Sequence, residues 1–433
     1  MKFIFFFILV IFNTNTLSAE EFLTYLENAY KNNPVLNASR ENYKAVKENI
    51  NISRSEFFPN VSVSGSQTDN QNSNRTNQVG ATLPDSSSTS ETKSFSIDQK
   101  IFQGFQSYNS LKKSKLESNQ AALKLKNTGQ QILLQSATAY YDLVYKIKNT
   151  QFNFLNVDLF ERQVESDSSR LQKGEITLTD LAQSESSLAG ANAKFISAET
   201  ELLGAKSNFE RIIGLPAPVK FTKDSFIKNI NLSLPKDLNA AFIFSERNNP
   251  KLLLAKLDYK ISEKNVDIEK SKFSPSASVN YTQSENKDFN NSVNKVDQES
   301  LKATVTIPLF KGGKNYSSLK KSKFKKTQSN LILQDTINEV KTDTANSWST
   351  YQSSESVLKA TQAQVKAAEI ANEGITLEYD SGNTRTTLEV IQSRSLLLDA
   401  RISNALAERN FSISKFELLA VTGELTLENL KTP

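Results

Sequence analysis

The chain is 433 residues long and carries 52 Lys and Arg against 47 Asp and Glu, a formal net charge of +5. So even a balance leaves no electrostatic footprint for a nucleic-acid partner. It contains no Cys and no His, which excludes disulfides, thiolate and imidazole metal sites, a lipidated N-terminal cysteine and a Ser-His-Asp triad; carboxylate or lysine chemistry remains for an enzyme, no constellation of either stands out, and no cofactor is expected.

The first element is a secretory signal, expected over residues 1–19. Lys2 is a short positive n-region, and Phe3 to Phe12 form an apolar stretch too short to span a bilayer as a helix. Leu17-Ser18-Ala19 supplies a cleavage site, which would leave Glu20 at the mature N-terminus. Beyond it no apolar run is long enough for a transmembrane helix. Membrane β-strands would carry a much weaker signal.

Pro34, in the motif NNP, and Pro59, in FFP, lie 25 residues apart. After Pro59 the chain alternates, with Val61 and Val63 apolar and Ser62 and Ser64 between them. Before Gly104 it alternates again, Phe95 and Ile97 against Ser96 and Asp98. Period two predicts strands over about 60–71 and 92–102, each with one apolar and one wet face. The Ser-, Asn- and Thr-rich connection from about Gln67 to Lys93 reads as a solvated loop. From Phe105 to Lys173 there is no Pro and a single Gly, Gly129. That predicts a helix over 105–173, roughly 100 Å long at 1.5 Å per residue. A break at Gly174 leads to a returning helix, 177–213. There Leu181, Leu188, Phe195, Leu202 and Phe209 recur every seven residues, with Ser184, Ala191, Ala198 and Ala205 interleaved. Seven-residue spacing with alternating large and small layers describes a closely packed coiled coil.

The second half repeats this plan. Pro250 and Pro275 are again 25 residues apart, in NNP and FSP. YNSLKKSK at Tyr108–Lys115 matches YSSLKKSK at Tyr316–Lys323 in seven of eight positions, an offset of 208. IFQGF (Ile101–Phe105) parallels LFKGG (Leu309–Gly313), and Gly174 parallels Gly382. One extra residue near Asn383 moves the offset to 209, and Gly214 and Gly423 close the halves. An ordered set of matches at a near-constant offset is a tandem duplication. Residues 20–214 and 241–433 are the two repeats, with 215–240, bounded by Pro216, Pro218 and Pro235, between them. In the second repeat strands are expected over about 275–285 and 298–310, a polar loop from Gln283 to Gln298, and long helices over 314–381 and 385–422. The heptad positions are Val390, Leu397, Asn404, Phe411 and Leu418, with Asn404 a polar exception that sets register.

The strand pairs read either as soluble hairpins packed on helices or as membrane strands. Four strands cannot close a membrane barrel, whose smallest form needs about eight, and open edges are not tolerated in lipid. In a membrane, several chains must share one barrel, and three chains give twelve strands. The fold class expected is mainly α, internally duplicated, with long antiparallel coiled-coil helices and a shared β-barrel.

These residues resemble the TolC family of outer-membrane efflux proteins over essentially the whole mature chain. The duplicated NNP-to-Pro spacing and the F-x-G entry to the long helices carry the resemblance. So do the tip segments GEITLTDLAQ (Gly174–Gln183) and YDSGNTRTTLEVIQ (Tyr379–Gln392). The resemblance implies a homotrimer with a twelve-stranded outer-membrane barrel and a helical barrel crossing the periplasm. A periplasmic adaptor and an inner-membrane pump, of ABC, RND or similar type, would dock at the far end. It also implies a gate at the tips, where Tyr379 and Arg385 would bond to Thr179 and Asp180. A breakable arginine–carboxylate fork suits that task. The family's two constriction aspartates fall on Glu389 and Gln392, so one acidic ring is kept and one is a neutral amide. The missing lipidation cysteine favours the export branch that serves type I secretion. The KKSK segments read as a solvated helix face or as a contact with outer-membrane lipid head groups.

Two other classes compete with a channel: a periplasmic coiled-coil scaffold or adaptor, and a surface adhesin. An adaptor has one helical hairpin with flanking β-rich segments, whereas two hairpins occur here. An adhesin stalk gathers its strands at the C-terminus, whereas here they are split between the halves.

Overall fold

A computed structural model describes residues 17–218, 232–290, 293–381 and 385–431, and every structural statement below concerns these. Residues 1–16 of the expected signal, residues 219–231 of the expected linker and the tip residues Gly382 and Asn383 lie outside them. The first half runs α1 (Leu17–Asn32), α2 (Pro34–Ser55), β1 (Asn60–Asn72), β2 (Arg75–Thr76), β3 (Thr82–Leu83), β4 (Ser86–Gln103), α3 (Gln106–Gln172) and α4 (Leu178–Ile213). The second runs α5 (Leu238–Asn248), α6 (Pro250–Ser271), β5 (Ser276–Asn290), β6 (Val293–Thr306), α7 (Lys314–Asp380), α8 (Thr387–Thr422) and α9 (Leu427–Lys431). The helices α3 and α7 both have 67 residues, and α4 and α8 both have 36. The chain divides into two units, one bearing the sheet (Asn42–Ala122 and Leu254–Gln334) and one helical (Met1–Glu41, Leu123–Leu253 and Asp335–Pro433).

In the sheet unit the strands pair antiparallel in the order β1-β4-β5-β6. The register places Val61, Ile97, Tyr281 and Leu301 in one row across all four strands, with Val63 opposite Phe95 in the next row of that face. The other face carries the row Ser62, Ser96, Thr282 and Ser300. On that face Ser62 and Ser96 hydroxyls lie 2.8 Å apart, and Asn280 Nδ2 donates to Asp98 Oδ1 at 2.6 Å. The alternation in the sequence is therefore the alternation of the faces.

The strands are longer than the apolar alternation indicates. The connections expected to be loops are largely strand: β1 runs on to Asn72, β4 begins at Ser86, and β5 and β6 approach to Asn290 and Val293. Here Ser, Thr and Asn occupy both faces, so no period-two signal survives. The ladder continues because cross-strand pairing does not need an apolar face. Thr92 Oγ1, for example, donates to Asn286 Oδ1 at 2.8 Å.

The helices of this unit follow the strand order. Ser53 on α2 meets Ser114 on α3 at 2.6 Å, Gln120 on α3 donates to Asp258 on α6, and Lys326 on α7 pairs with Glu263 on α6 at 2.8 Å. Gly104 joins β4 to α3 with φ +59°, and a Cβ there would meet the Ser271 carbonyl oxygen at 2.6 Å. Only glycine tolerates both the left-handed backbone and that approach.

In the helical unit the core forms around Phe22 and Leu26 of α1, with Leu133, Tyr140, Tyr141 and Leu143 of α3, Phe209 of α4 and Phe416 of α8. The Phe22 ring stands edge-on to Tyr140 at 4.7 Å, and burying one such side chain contributes about 1.5–3 kcal/mol. Both NNP motifs owe their second asparagine to capping. Asn33 Nδ2 donates to the Ile212 carbonyl at the end of α4, while its Oδ1 accepts from Val35 N at the start of α2. Asn249 repeats this with the Val421 carbonyl of α8 and Leu252 N of α6. One side chain thus serves unpaired groups at two helix ends.

Along α4 the small heptad residues Ser184, Ala191 and Ala198 are buried, and Leu188, Phe195 and Leu202 are half-buried. The small layers are thus the buried ones, and the large ones flank them. Asn404, the polar exception of α8, accepts from Thr361 Oγ1 on α7 at 3.3 Å.

Candidate functional site: the helix tips

The α3–α4 and α7–α8 hairpins turn at the two segments singled out in the sequence. Each returning helix begins with a capping box. Asp180 Oδ2 accepts from Thr177 N at 2.9 Å, and Thr177 Oγ1 accepts from Asp180 N at 3.3 Å. In the second hairpin Glu389 Oε2 accepts from Thr386 N at 2.8 Å, and Thr386 Oγ1 accepts from Glu389 N at 3.3 Å. Both carboxyls are held below their ordinary range, first because a backbone N–H donates to them. The T-x-x-D and T-x-x-E spacing was a readable signal for these caps.

Arg385 lies beside its own hairpin's acids. Its Nε donates to Glu378 Oε2 at 2.6 Å and its Nη1 to Glu389 Oε1 at 3.1 Å. Thr179 is exposed, and so is Gln392. Within one protomer the structure does not bring Tyr379 and Arg385 onto Thr179 and Asp180. Asp180 is occupied by its cap, and Tyr379 finds another acid.

That acid is Asp167 of α3, which is 0% exposed. The Tyr379 hydroxyl donates to Asp167 Oδ1 at 2.9 Å, Gln163 Nε2 donates to the same oxygen at 2.9 Å, and Ser184 Oγ donates to Oδ2 at 2.6 Å. Tyr379 also meets Thr387 Oγ1 at 3.1 Å, and the Arg170 guanidinium stacks over its ring at 4.6 Å. Arg394 Nη1 donates to Gln163 Oε1 at 3.0 Å. The network draws on α3, α4, α7 and α8, and each oxygen of the buried carboxylate has a donor, as a buried charge requires. Burial raises the Tyr379 phenol above its ordinary range and lowers the Arg394 guanidinium below its own. Sequence reading missed Asp167, Gln163, Ser184 as a ligand, Thr387 and Arg394. The one local signal was the i, i+4 pair Gln163–Asp167.

A second feature lies on the other side of the α7–α8 hairpin. An open groove of about 450 Å³ is lined by Gln364, Ala368, Ala371, Ile375 and Leu396, with Glu389 and Gln392 at its rim.

The chain matches the family described as outer membrane efflux protein over residues 25–215 and 245–424. It belongs to that family. The efflux protein is 26% identical to the outer membrane efflux protein BepC of Brucella suis biovar 1, over 94% of this chain and 86% of BepC. It is 24% identical to the outer membrane protein TolC of Vibrio cholerae serotype O1, over 95% of this chain and 92% of TolC. The crystal structure of the Campylobacter jejuni CmeC outer membrane channel shares the fold, with a TM-score of 0.80 at 14% identity, covering 94% of this chain and 86% of that one. Membership makes the efflux protein an outer-membrane export channel, a conduit rather than an enzyme. It decides against the scaffold and adhesin readings.

Proposed function

We propose that this efflux channel works as a homotrimer. Its twelve strands close one barrel in the outer membrane, and its helices continue as a tunnel into the periplasm. An inner-membrane pump hands cargo to it through a periplasmic adaptor. The sheet is the observation that supports this reading. It has two open edges, β1 and β6, and one apolar face. Among the described residues no helix is long and apolar enough to cross a membrane. From Leu301, Ala303 and Val305 on β6 to Ile307 and Leu309 just past its end at Thr306, the apolar alternation covers nine residues, or eight steps. In extended chain that is about 27 Å, or about 20 Å after a tilt of roughly 40°, close to the roughly 25 Å apolar band of outer-membrane barrels. Exposed Phe57, Phe58, Phe102, Phe105, Phe273 and Phe310 gather where the strands meet the helices, as an aromatic girdle does. At the other end the row Lys93, Glu285, Asp297 closes the band, so the polar strand extensions stand outside it.

Residues 20–214 and 241–433 serve as two copies of one wall unit, joined through 215–240. The tips are the gate. Arg385 and Tyr379 hold the α7–α8 hairpin, and Thr179 and Asp180 offer their partner surface between protomers. Glu389 and Gln392 set the lumen constriction, with one acidic ring where the family pattern has two. Replacing Arg385 with Ser should raise single-channel conductance of the purified trimer in planar bilayers; unchanged conductance would count against Arg385 as a gate residue. Protein and small-molecule cargo separate on deletion of the gene. Loss of secreted proteins marks type I secretion, and increased drug susceptibility marks efflux.

A further inference from the structure

The duplication kept one motif that conduction does not require: YNSLKKSK at the start of α3 and YSSLKKSK at the start of α7, 208 residues apart. Between Asp98 and Glu117, and again between Glu299 and Asp335, every charged residue is a lysine. Within the sheet unit α3 uses two flanks on its neighbours, where Ser114 meets Ser53 of α2 and Gln120 donates to Asp258 of α6. Tyr108, Lys112 and Lys115 follow one another at helical spacing on a third face. That face is open: Tyr108 is 49% exposed, and both lysines are exposed. On α7 the counterparts Tyr316, Lys320 and Lys323 are exposed too, while Ser322, the counterpart of Ser114, is buried.

The tyrosine–lysine face continues the apolar face of the sheet. Phe102 pairs with Ala277, which shares its face with Val279 and Tyr281. The Phe102 ring stands edge-on to exposed Phe105 at 5.3 Å. Tyr108 follows Phe105 by three residues, and Lys112 Nζ lies 4.3 Å from the Tyr108 ring centre. Aromatic rings followed by lysines are the order in which side chains cross from hydrocarbon into head groups. Both helices start at the sheet end, and helical side chains lean toward the N-terminus, so these lysines reach back toward the sheet. Lys112 and Lys320 stand about 9 Å along their helices from Gln106 and Lys314. The head-group layer on one side of a bilayer is about 5–8 Å deep, within reach of a leaning lysine stem. We propose that Tyr108, Lys112 and Lys115, with Tyr316, Lys320 and Lys323, form a belt that binds the phosphate groups of anionic phospholipids in the periplasm-facing leaflet of the outer membrane, a reading that rests on the membrane barrel above. An ammonium is a point charge for phosphate, and each lysine near the surface adds to the attraction. A zwitterionic head group brings its own cation and gains less. With two such motifs in each protomer, the belt fixes the depth at which the barrel sits.

The test titrates phosphatidylglycerol or phosphatidylethanolamine into the full-length channel in detergent and counts retained lipid by native mass measurement. The native chain should retain at least fivefold more phosphatidylglycerol than phosphatidylethanolamine. The variant Lys112→Gln/Lys115→Gln/Lys320→Gln/Lys323→Gln changes only exposed side chains and should retain at least fivefold less phosphatidylglycerol than the native chain. Lys173→Gln/Lys194→Gln/Lys359→Gln/Lys366→Gln removes the same charge from exposed positions of the helical unit and should stay within twofold of the native chain. Equal retention of the two lipids, or equal retention by the two variants, overturns the belt. If the belt variant loses binding to soluble peptidoglycan fragments while keeping phosphatidylglycerol, the face serves the cell wall and the lipid reading falls. Flotation with vesicles separates the two levels of the argument. A native channel that floats with vesicles of neither lipid overturns the membrane barrel, and the belt with it, whereas flotation with unchanged retention in the belt variant overturns the belt alone.

Discussion

Replacing Tyr379 with Phe tests the buried network most directly. The substitution keeps the ring under Arg170 and removes only the hydroxyl. Asp167 loses one of its three donors, at 2.9 Å, and Thr387 loses its neighbour at 3.1 Å. Because the acceptor is charged and fully buried, the bond contributes about 1.5–3 kcal/mol. At 1.4 kcal/mol per decade, a loss of about 2 kcal/mol raises the equilibrium for opening the hairpins roughly thirtyfold. Hydrogen exchange read by mass spectrometry on the intact channel should show that loss of protection in segments 159–187 and 376–394. Segment 132–144, in the core around Leu133 and Leu143, should be unchanged. Tyr351→Phe is the control, because Tyr351 stacks on Phe411 away from this network. A change below threefold at the tips, or an equal change from Tyr351→Phe, would refute the network as a clasp between the hairpins.

The remaining expectations use other parts of the chain. Asp180 and Glu389 have folded pKa values below their ordinary ones. The stabilisation they give is therefore complete above the unfolded values near about 4 and drains as pH falls through the folded values. The first turns of α4 and α8 should lose exchange protection on acidification below about pH 4 and stay constant between about pH 8 and 5; loss in the upper range would contradict the capping role. Gly423 ends α8 at φ +78°, and a Cβ there would run into the Asn248 carbonyl oxygen. Gly423→Ala should cost about 1–3 kcal/mol and lower the thermal midpoint, whereas Gly190→Ala, with open space around it, should leave the midpoint the same or higher.

What the sequence disclosed depended on whether a signal was local. The repeats, the long helices and the apolar parts of the strands follow from proline spacing, glycine punctuation and period two. The upper halves of β4 and β5 do not, because Ser, Thr and Asn on both faces erase the alternation while the ladder still forms. NNP was visible as a marker. Its reason was not, since Asn33 bonds to Ile212, 179 residues away. The Tyr379–Asp167 bond joins residues 212 apart, and neither position has a polar counterpart in the other repeat: Leu171 stands for Tyr379 and Ile375 for Asp167. Comparison between halves finds what the duplication kept, and this contact arose by divergence.

The caps change how the gate residues must be tested. Asp180 and Glu389 are acids at the two tips, and a substitution at either removes a cap whatever else it does. A conductance change in Asp180→Asn would therefore not separate a lost contact with Arg385 from a frayed first turn of α4. Thr177→Ala makes the separation, because it removes the hydroxyl that accepts from Asp180 N and leaves the carboxylate charge in place. A cap substitution of this kind costs about 0.5–2 kcal/mol. If Asp180 acts only through the cap, Thr177→Ala and Asp180→Asn should raise conductance alike, and adding Arg385→Ser should raise it further by its own increment. If Asp180 is the partner of Arg385 across protomers, Asp180→Asn should raise conductance well above Thr177→Ala and mask the effect of Arg385→Ser. Additivity of Asp180→Asn with Arg385→Ser is the result that would dissolve the pair.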